Sequence, residues 1–356
     1  MGARNGAWTD GHSMLSIVML NQVLVLALAA TRDQALGLSV IERAADAVVV
    51  EGSQAVAIAA DGAAAQHVRA ALLLARHGRG RSNLALPTAG GLQLWADVFW
   101  GGGWRIQQHI WSGHHRLIDP AGVRRAWGDH AACRAVFAVV RARTGWPPVR
   151  RLVLGLAGMG RTRHALTLLR HALGPDDVLA LVAYPSTRAS LAEHALRLRR
   201  LLADLPDVER VAIVTHSLGA LVARSALAAP AAERAQWPRI DGVVMLFPPN
   251  QGSALADRWH RTPPYRWLLG PAGQELTTAA AHAVPLPVDP VVIIAGGRGD
   301  GRGRNRHLAG DDDGTVRVAE TWLPGAVAHH VIDVGHTFGV CDARVLAAVR
   351  TALAAF

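Results

Sequence analysis

Residues 211–224 read VAIVTHSLGALVAR, from Val211 to Arg224. The first five residues are an apolar, β-branched run, which predicts a buried strand. From Leu218 the apolar spacing becomes helical. Between the two lies Thr215-His216-Ser217-Leu218-Gly219, with no residues to spare for a loop. A strand that passes into a helix this abruptly must turn sharply at Ser217, leaving its hydroxyl at the carboxyl edge of the sheet. Such a turn calls for small residues two positions to either side. Gly219 meets that need, Thr215 stands at the earlier position, and Ala220 allows the helix to pack closely on the sheet.

The same alternation extends both ways from this stretch. Strand-like runs are read at Arg151–Ala157, Val178–Tyr184, Val211–Thr215, Gly242–Phe247, Val291–Ala295 and His330–Val334. Helical spacing occupies Thr162–Leu173, Ser190–Leu205, Leu218–Ala229 and Val345–Phe356, and Ser190 with Glu193 forms a capping box. Near-continuous apolar strands alternating with helices predict an α/β fold with a mostly parallel sheet of about six strands, covered by helices on both faces. Functional groups then belong on the loops at the carboxyl ends of the strands.

A serine hydroxyl becomes a strong nucleophile only when a base takes its proton and an acid orients that base. Downstream of Ser217, an acidic run Asp311-Asp312-Asp313-Gly314 follows the fifth strand and His336 follows the last. The order Ser, Asp, His is that of α/β-hydrolases. Asp313 is favoured because the adjacent Gly314 supports a tight turn, with Asp311, Asp312 and Asp300 as alternatives. His336 is favoured over His329 and His330, which fall at the start of the last strand, on the wrong edge of the sheet. Two N–H donors are required for an oxyanion. Leu218, at the start of the helix, supplies one; the loop Ala157-Gly158-Met159-Gly160 supplies the other, with Met159 preferred and Leu156 the fallback.

These residues together resemble the bacterial lipase and esterase branch of the α/β-hydrolase superfamily. THSLGALVAR is similar to its His-Ser-x-Gly elbow, and AGMGRT is similar to an oxyanion loop that usually begins with histidine. Tyr184-Pro185-Ser186-Thr187-Arg188 resembles a segment of uncharacterised bacterial hydrolases. Pro248-Pro249-Asn250-Gln251-Gly252-Ser253 and Asp313-Gly314-Thr315-Val316 resemble turns of lipases and GPI inositol-deacylase-like proteins. The likeness covers residues 147–356. It departs from the pattern at Ala157, where the loop histidine usually stands, and at Thr215, where the elbow usually has glycine. It implies a serine esterase or lipase-like hydrolase with no metal or organic cofactor, acting on a small-molecule or lipid ester. An acyltransferase with the same three residues and a catalytically silent binding scaffold are the alternatives.

Residues 1–146 read as a separate, mainly helical and tryptophan-bearing extension of a hydrolase domain at 147–356. Six of the 11 tryptophans fall at Trp95, Trp100, Trp104, Trp111, Trp127 and Trp146. Met14–Ala30 is the most apolar run; its 17 residues would span roughly 25 Å as a helix, slightly short of a bilayer core of ~30 Å. It is read as a buried helix, a membrane anchor or a signal. Two cysteines, Cys133 and Cys341, are too few for a disulfide framework and fit a reducing, cytoplasmic setting. The net charge of +10 invites a polyanion, but all 37 basic residues are arginine. That points to coding bias, so no nucleic-acid partner is expected, although acidic lipid surfaces stay in play. His109, His114, His115 and His130 match no metal-ligand spacing, and the Gly296–Arg306 stretch lacks the ending of a phosphate loop and reads as a surface loop.

Overall fold

In a computed structural model the described residues are 40–44, 47–50, 93–122 and 124–356. The chain divides into two units at residues 79 and 80. In the first unit, strands β1 (Val40–Ala44) and β2 (Ala47–Val50) pair as an antiparallel hairpin. The apolar run at 14–30 lies outside the described residues.

The second unit opens with a four-stranded antiparallel meander: β3 (Trp95–Gly101), β4 (Trp104–His109), β5 (His115–Ile118) and β6 (Arg124–Gly128). Where the sequence pointed to a mainly helical extension, the described part is therefore largely β. The reason is local: Gly102 and Gly103, at φ 54° and 86°, form the two-residue link between Gly101 and Trp104, which pair with each other. Both positive φ values suit the tight hairpin turn that matches strand twist. Helix α1 (His130–Thr144) follows, capped by Asp129 and ended by Gly145 at φ 54°.

The six expected strands all form, in one parallel sheet. They are β7 (Val149–Leu156), β8 (Asp177–Val182), β9 (Val208–His216), β10 (Arg239–Leu246), β11 (Val291–Gly296) and β12 (Ala328–Ile332), in the spatial order β12-β11-β10-β9-β7-β8. Alternation along the central strands explains why the inner stretch of each is apolar on both faces. Leu152, Leu154, Val211, Ile213, Val243, Met245 and Ile293 enter the core on one face. Val153, Ala212, Val214, Val244, Leu246 and Ile294 enter the core on the other. Burying both faces removes these side chains from water, at about 1.5–3 kcal/mol for each large aliphatic residue.

The helices stand where their spacing placed them. A 3-10 helix covers Arg163–Ala172, α2 covers Leu191–Ala203 behind the Ser190–Glu193 capping box, and α3 covers Leu218–Leu227. After the short α4 (Ala231–Arg234), an insertion between β10 and β11 carries α5 (Ala254–Trp259), α6 (Pro263–Gln274) and α7 (Thr278–Ala283). The short α8 (Val318–Thr321) and the terminal α9 (Ala343–Ala355) complete the unit. With its crossed strand order and a serine at the turn from β9 to α3, this is the α/β-hydrolase fold. The meander joins the sheet at β8: the Asp97 amide donates to the Ala183 carbonyl, and the Ala183 amide donates back to the Asp97 carboxylate, both at 2.8 Å.

Candidate active site

Ser217 occupies the turn with φ 53° and ψ −123°, a region that residues with a Cβ avoid. The strain is held from both sides. Its amide donates to the Leu246 carbonyl at 2.9 Å, which fixes the turn against the neighbouring strand. Behind it, Gly219 sits so close to β7 that a Cβ there would lie 2.7 Å from the Leu156 carbonyl oxygen. The small residue expected two positions after the serine is thus required by a backbone contact. Two positions before it, Thr215 is fully buried, its hydroxyl without a hydrogen-bond partner among the described residues. The Ser217 side chain makes no capping bond to its own helix, so the hydroxyl is free to face outward.

It faces His336. The His336 Nε2 lies 3.0 Å from Ser217 Oγ, and the His336 Nδ1 lies 2.7 Å from Asp313 Oδ2. Asp313 is almost fully buried, and its other oxygen accepts from the amides of Thr315 and Val316 at 2.9 and 2.8 Å. Those two bonds define the tight turn anticipated from Gly314. The loops bearing the acid and the imidazole are also tied directly, with the His336 amide donating to the Asp313 carbonyl at 2.9 Å. Gly296 ends β11 as glycine because a Cβ would lie 2.7 Å from that of Asp313.

The alternative acids serve the loop itself. Asp311 accepts from the amides of Arg298 and Gly299, and Asp312 from those of Arg304, Asn305 and Gly314. Asp300 accepts from the Arg302 amide. Of the alternative bases, His329 bonds Thr321 at 2.8 Å, and His330 pairs mid-strand with Ile294 on β12. Neither approaches Ser217 by hydrogen bond.

The loop after β7 packs directly on the elbow. A Cβ at Gly158 would meet Ser217 Cβ at 3.0 Å and His216 Nδ1 at 2.8 Å, so only glycine allows this approach. Gly160, at φ 66°, donates its amide to the Ser186 hydroxyl at 2.8 Å. Met159 lies between these two anchored glycines. Leu218 is the first residue of α3, so its N–H has no acceptor within the helix. The positive end of the helix dipole lies at the same point.

Four supporting residues were not singled out for a role from sequence. His216 is buried, with Nε2 3.1 Å from the backbone carbonyl of His336 and its ring 5.0 Å from the His336 ring. Burial, reinforced by the charge of His336 when protonated, holds its pKa well below the usual range, so it stays neutral. Nε2 therefore carries the proton that it donates to that carbonyl. Tyr184 donates its hydroxyl to the Ala157 carbonyl, and Ser186 receives the Gly160 amide, so the segment after β8 braces the loop after β7. Gln93 extends the brace, its side-chain oxygen accepting from the Thr187 amide and hydroxyl at 2.8 and 2.7 Å. The signal for Tyr184 and Ser186 was present as a family-like segment that carried no chemistry of its own.

Among the described residues Arg224 is the largest fully buried side chain, nearly two turns along α3. It donates to the carbonyls of Asn250 at 2.9 Å and Val284 at 2.6 Å, and burial pushes its pKa down to about 10. Asn250 in turn donates to the Thr321 carbonyl at 2.9 Å. Helix α3 is thereby fastened to both ends of the insertion and to the turn after β10.

No family model matches the chain, and no curated protein matches it. Solved structures to which it is similar include the mature form of the lipase BlEst2 from Bacillus licheniformis. That likeness has 18% identity and a TM-score of 0.44 over 58% of this chain and 94% of the other. A lipase-esterase related protein from Clostridium acetobutylicum is 11% identical with a TM-score of 0.39, over 58% of this chain and 94% of that one. Phospholipase PlaB from Legionella pneumophila is 16% identical with a TM-score of 0.39, over 57% of this chain and 55% of that one.

Proposed function

We propose that the protein is a serine hydrolase cleaving carboxylic esters, with lipid-like esters as its substrate class. The observation that carries this reading is the unbroken relay from Ser217 Oγ through His336 to Asp313, at 3.0 and 2.7 Å. In the mechanism, Ser217 Oγ attacks the ester carbonyl as His336 Nε2 takes its proton. Asp313 holds the imidazole in the tautomer that accepts at Nε2 and stabilises the imidazolium that forms. The amides of Leu218 and Met159 receive the negative charge of the tetrahedral oxygen, each at ~3 kcal/mol. Collapse returns the proton from His336 to the departing alkoxide and leaves an acyl-serine. Water then enters, gives its proton to His336 and releases the acid, restoring the serine.

The catalytic domain in this reading is 147–356, with 1–146 an appended extension. Kinship with GPI inositol-deacylase-like proteins rests on the turns at Pro248–Ser253 and Asp313–Val316. The apolar run at 14–30 adds association with a membrane surface. Among the described residues no helix is long and apolar enough to cross a membrane. The test is turnover of p-nitrophenyl esters of increasing chain length by the wild type, Ser217→Ala and His336→Ala. The expected result is turnover by the wild type and loss of at least a thousandfold in either variant. A folded wild type without turnover would favour the scaffold alternative, and acyl transfer to an added alcohol in preference to water would favour the acyltransferase.

A further inference from the structure

The insertion between β10 and β11 exposes side chains that a water-facing surface has no use for. Trp267 is 74% exposed, Leu268 64% and Trp259 45%, on the neighbouring helices α5 and α6. Isolated exposed apolar residues are ordinary, but two tryptophans and a leucine within ten positions form a patch. A groove of about 500 Å³ opens in the same place, lined by Pro263, Arg266, Trp267 and Gln274 among others.

Arginines ring the patch. Arg258, Arg261 and Arg266 are exposed, and among the described residues none of them has an acidic partner. Arg258 lies over the Trp259 ring at 5.0 Å. The acids on these helices are already engaged: Asp257 accepts from the amide and hydroxyl of Thr278, and Glu275 accepts from the Leu191 amide. The patch therefore offers indole rings and guanidinium groups that no carboxylate among the described residues pairs, with Arg258 stacked on Trp259. Tryptophan seats at the level of lipid headgroups, and arginine is drawn to an anionic leaflet.

The patch is also fixed in place beside the elbow. Gly270, at φ 61°, lies so close to the loop after β8 that a Cβ there would be 1.7 Å from the Thr187 carbonyl oxygen. Its neighbour Ser186 holds Gly160, and Gly158 of the same loop lies against Ser217. Helix α6 is thus joined to the serine's surroundings through two loops.

We infer that Trp259, Trp267 and Leu268, with Arg258, Arg261 and Arg266, form a docking surface for an anionic lipid bilayer. This rests on the lipid-ester reading of the site, for which the surface would supply the substrate. The experiment is co-sedimentation of the full chain with vesicles of phosphatidylcholine alone and of phosphatidylcholine mixed with phosphatidylglycerol. The wild type is compared with Trp259→Ala/Trp267→Ala/Leu268→Ala and with Arg258→Gln/Arg261→Gln/Arg266→Gln. Thermal unfolding and turnover of a soluble short-chain ester are followed in parallel. The wild type binds the anionic vesicles at least tenfold more tightly than the neutral ones, and added salt weakens the binding. Each triple variant loses at least tenfold of that affinity while keeping its unfolding temperature. Where the hydrolase reading also holds, short-chain turnover is unchanged; vesicle binding with this pattern but no turnover upholds the surface and defeats the hydrolase. Binding that survives both triple variants, as it would if the 14–30 run carried it, overturns the inference. Absent binding, or equal binding to neutral vesicles, does so as well.

Discussion

His216 donates its Nε2 proton to the backbone carbonyl of His336 at 3.1 Å, so the residue before Ser217 holds the main chain of His336. The two are 120 residues apart in sequence, and the contact exists only once β9 and the last loop meet at one sheet edge. Replacing this buried donor with leucine leaves the carbonyl without a partner, a loss on the order of 1 kcal/mol. His216→Leu should therefore lower kcat by about tenfold with little change in KM, because it shifts His336 without touching substrate. Steady-state kinetics on a soluble ester checks this. Unchanged kcat would show that the His336 loop is positioned by Asp313 alone.

Gly158 makes a second prediction. A methyl group there meets Ser217 Cβ and His216 Nδ1 inside normal contact distance. The loop must retreat, carrying the Met159 amide with it. Displacements near 1 Å from a reacting centre cost on the order of a hundredfold in rate. Gly158→Ala should lose about that much kcat/KM while unfolding at nearly the wild-type temperature. Ser186→Ala, which removes the acceptor for the Gly160 amide and for Gln93 Nε2 but adds no clash, should lose less.

Arg224 is predicted to matter for stability. Its guanidinium is buried and spread over main-chain acceptors in two separate segments, with no carboxylate. Arg224→Ala strands those carbonyls and leaves a void, at a cost of about 3 kcal/mol. Lysine should recover only part of this, since one ammonium lacks the fork that spans both sites. Urea unfolding midpoints of the three proteins give the comparison.

The fourth prediction concerns pH. His194 is buried on α2 against the Tyr184 ring, and burial lowers its pKa from 6.5 to about 4. The unfolded chain thus binds a proton between pH 6.5 and 4 that the folded chain refuses, so stability falls as pH drops through that window and levels off below it. The full effect is about 3 kcal/mol. His194→Leu should show a shallower decline over the same window, read from denaturant unfolding at several pH values. Parallel curves for the two proteins would assign the acid sensitivity elsewhere.

How much of this could be read from sequence follows from where the information lies. The four inner strands were legible because burial on both faces makes most of each an apolar run, whereas the edge strands β8 and β12 are partly exposed and were read from their valines, leucines and isoleucines. Ser217 was legible because strand, turn and helix are adjacent in the chain. Asp313 stood out from its two neighbours through Gly314, whose turn sends one carboxylate toward His336 while Asp311 and Asp312 close the loop. The β-meander was less legible, since β4 to β6 are short and carry Arg105, Gln107, Gln108, Arg116, Arg124 and Arg125 among few apolar residues. Its best signal was Gly102-Gly103, a two-residue hairpin link hidden inside a run of three glycines. The insertion helices α5 to α7 gave no helical period, because α5 and α7 have six residues each and α6 is broken at Gly270-Pro271. His216 could not be assigned at all: in sequence it is the end of a strand, and its role comes from a distant loop.

The most direct test of the central claim is intact-mass measurement after treatment with a fluorophosphonate, followed by peptide mapping. The account predicts one phosphonyl group per folded chain, attached to Ser217, with none on Ser217→Ala and much slower attachment to His336→Ala. A folded wild type that takes up no label, or a Ser217→Ala variant that labels as the wild type does, would contradict it.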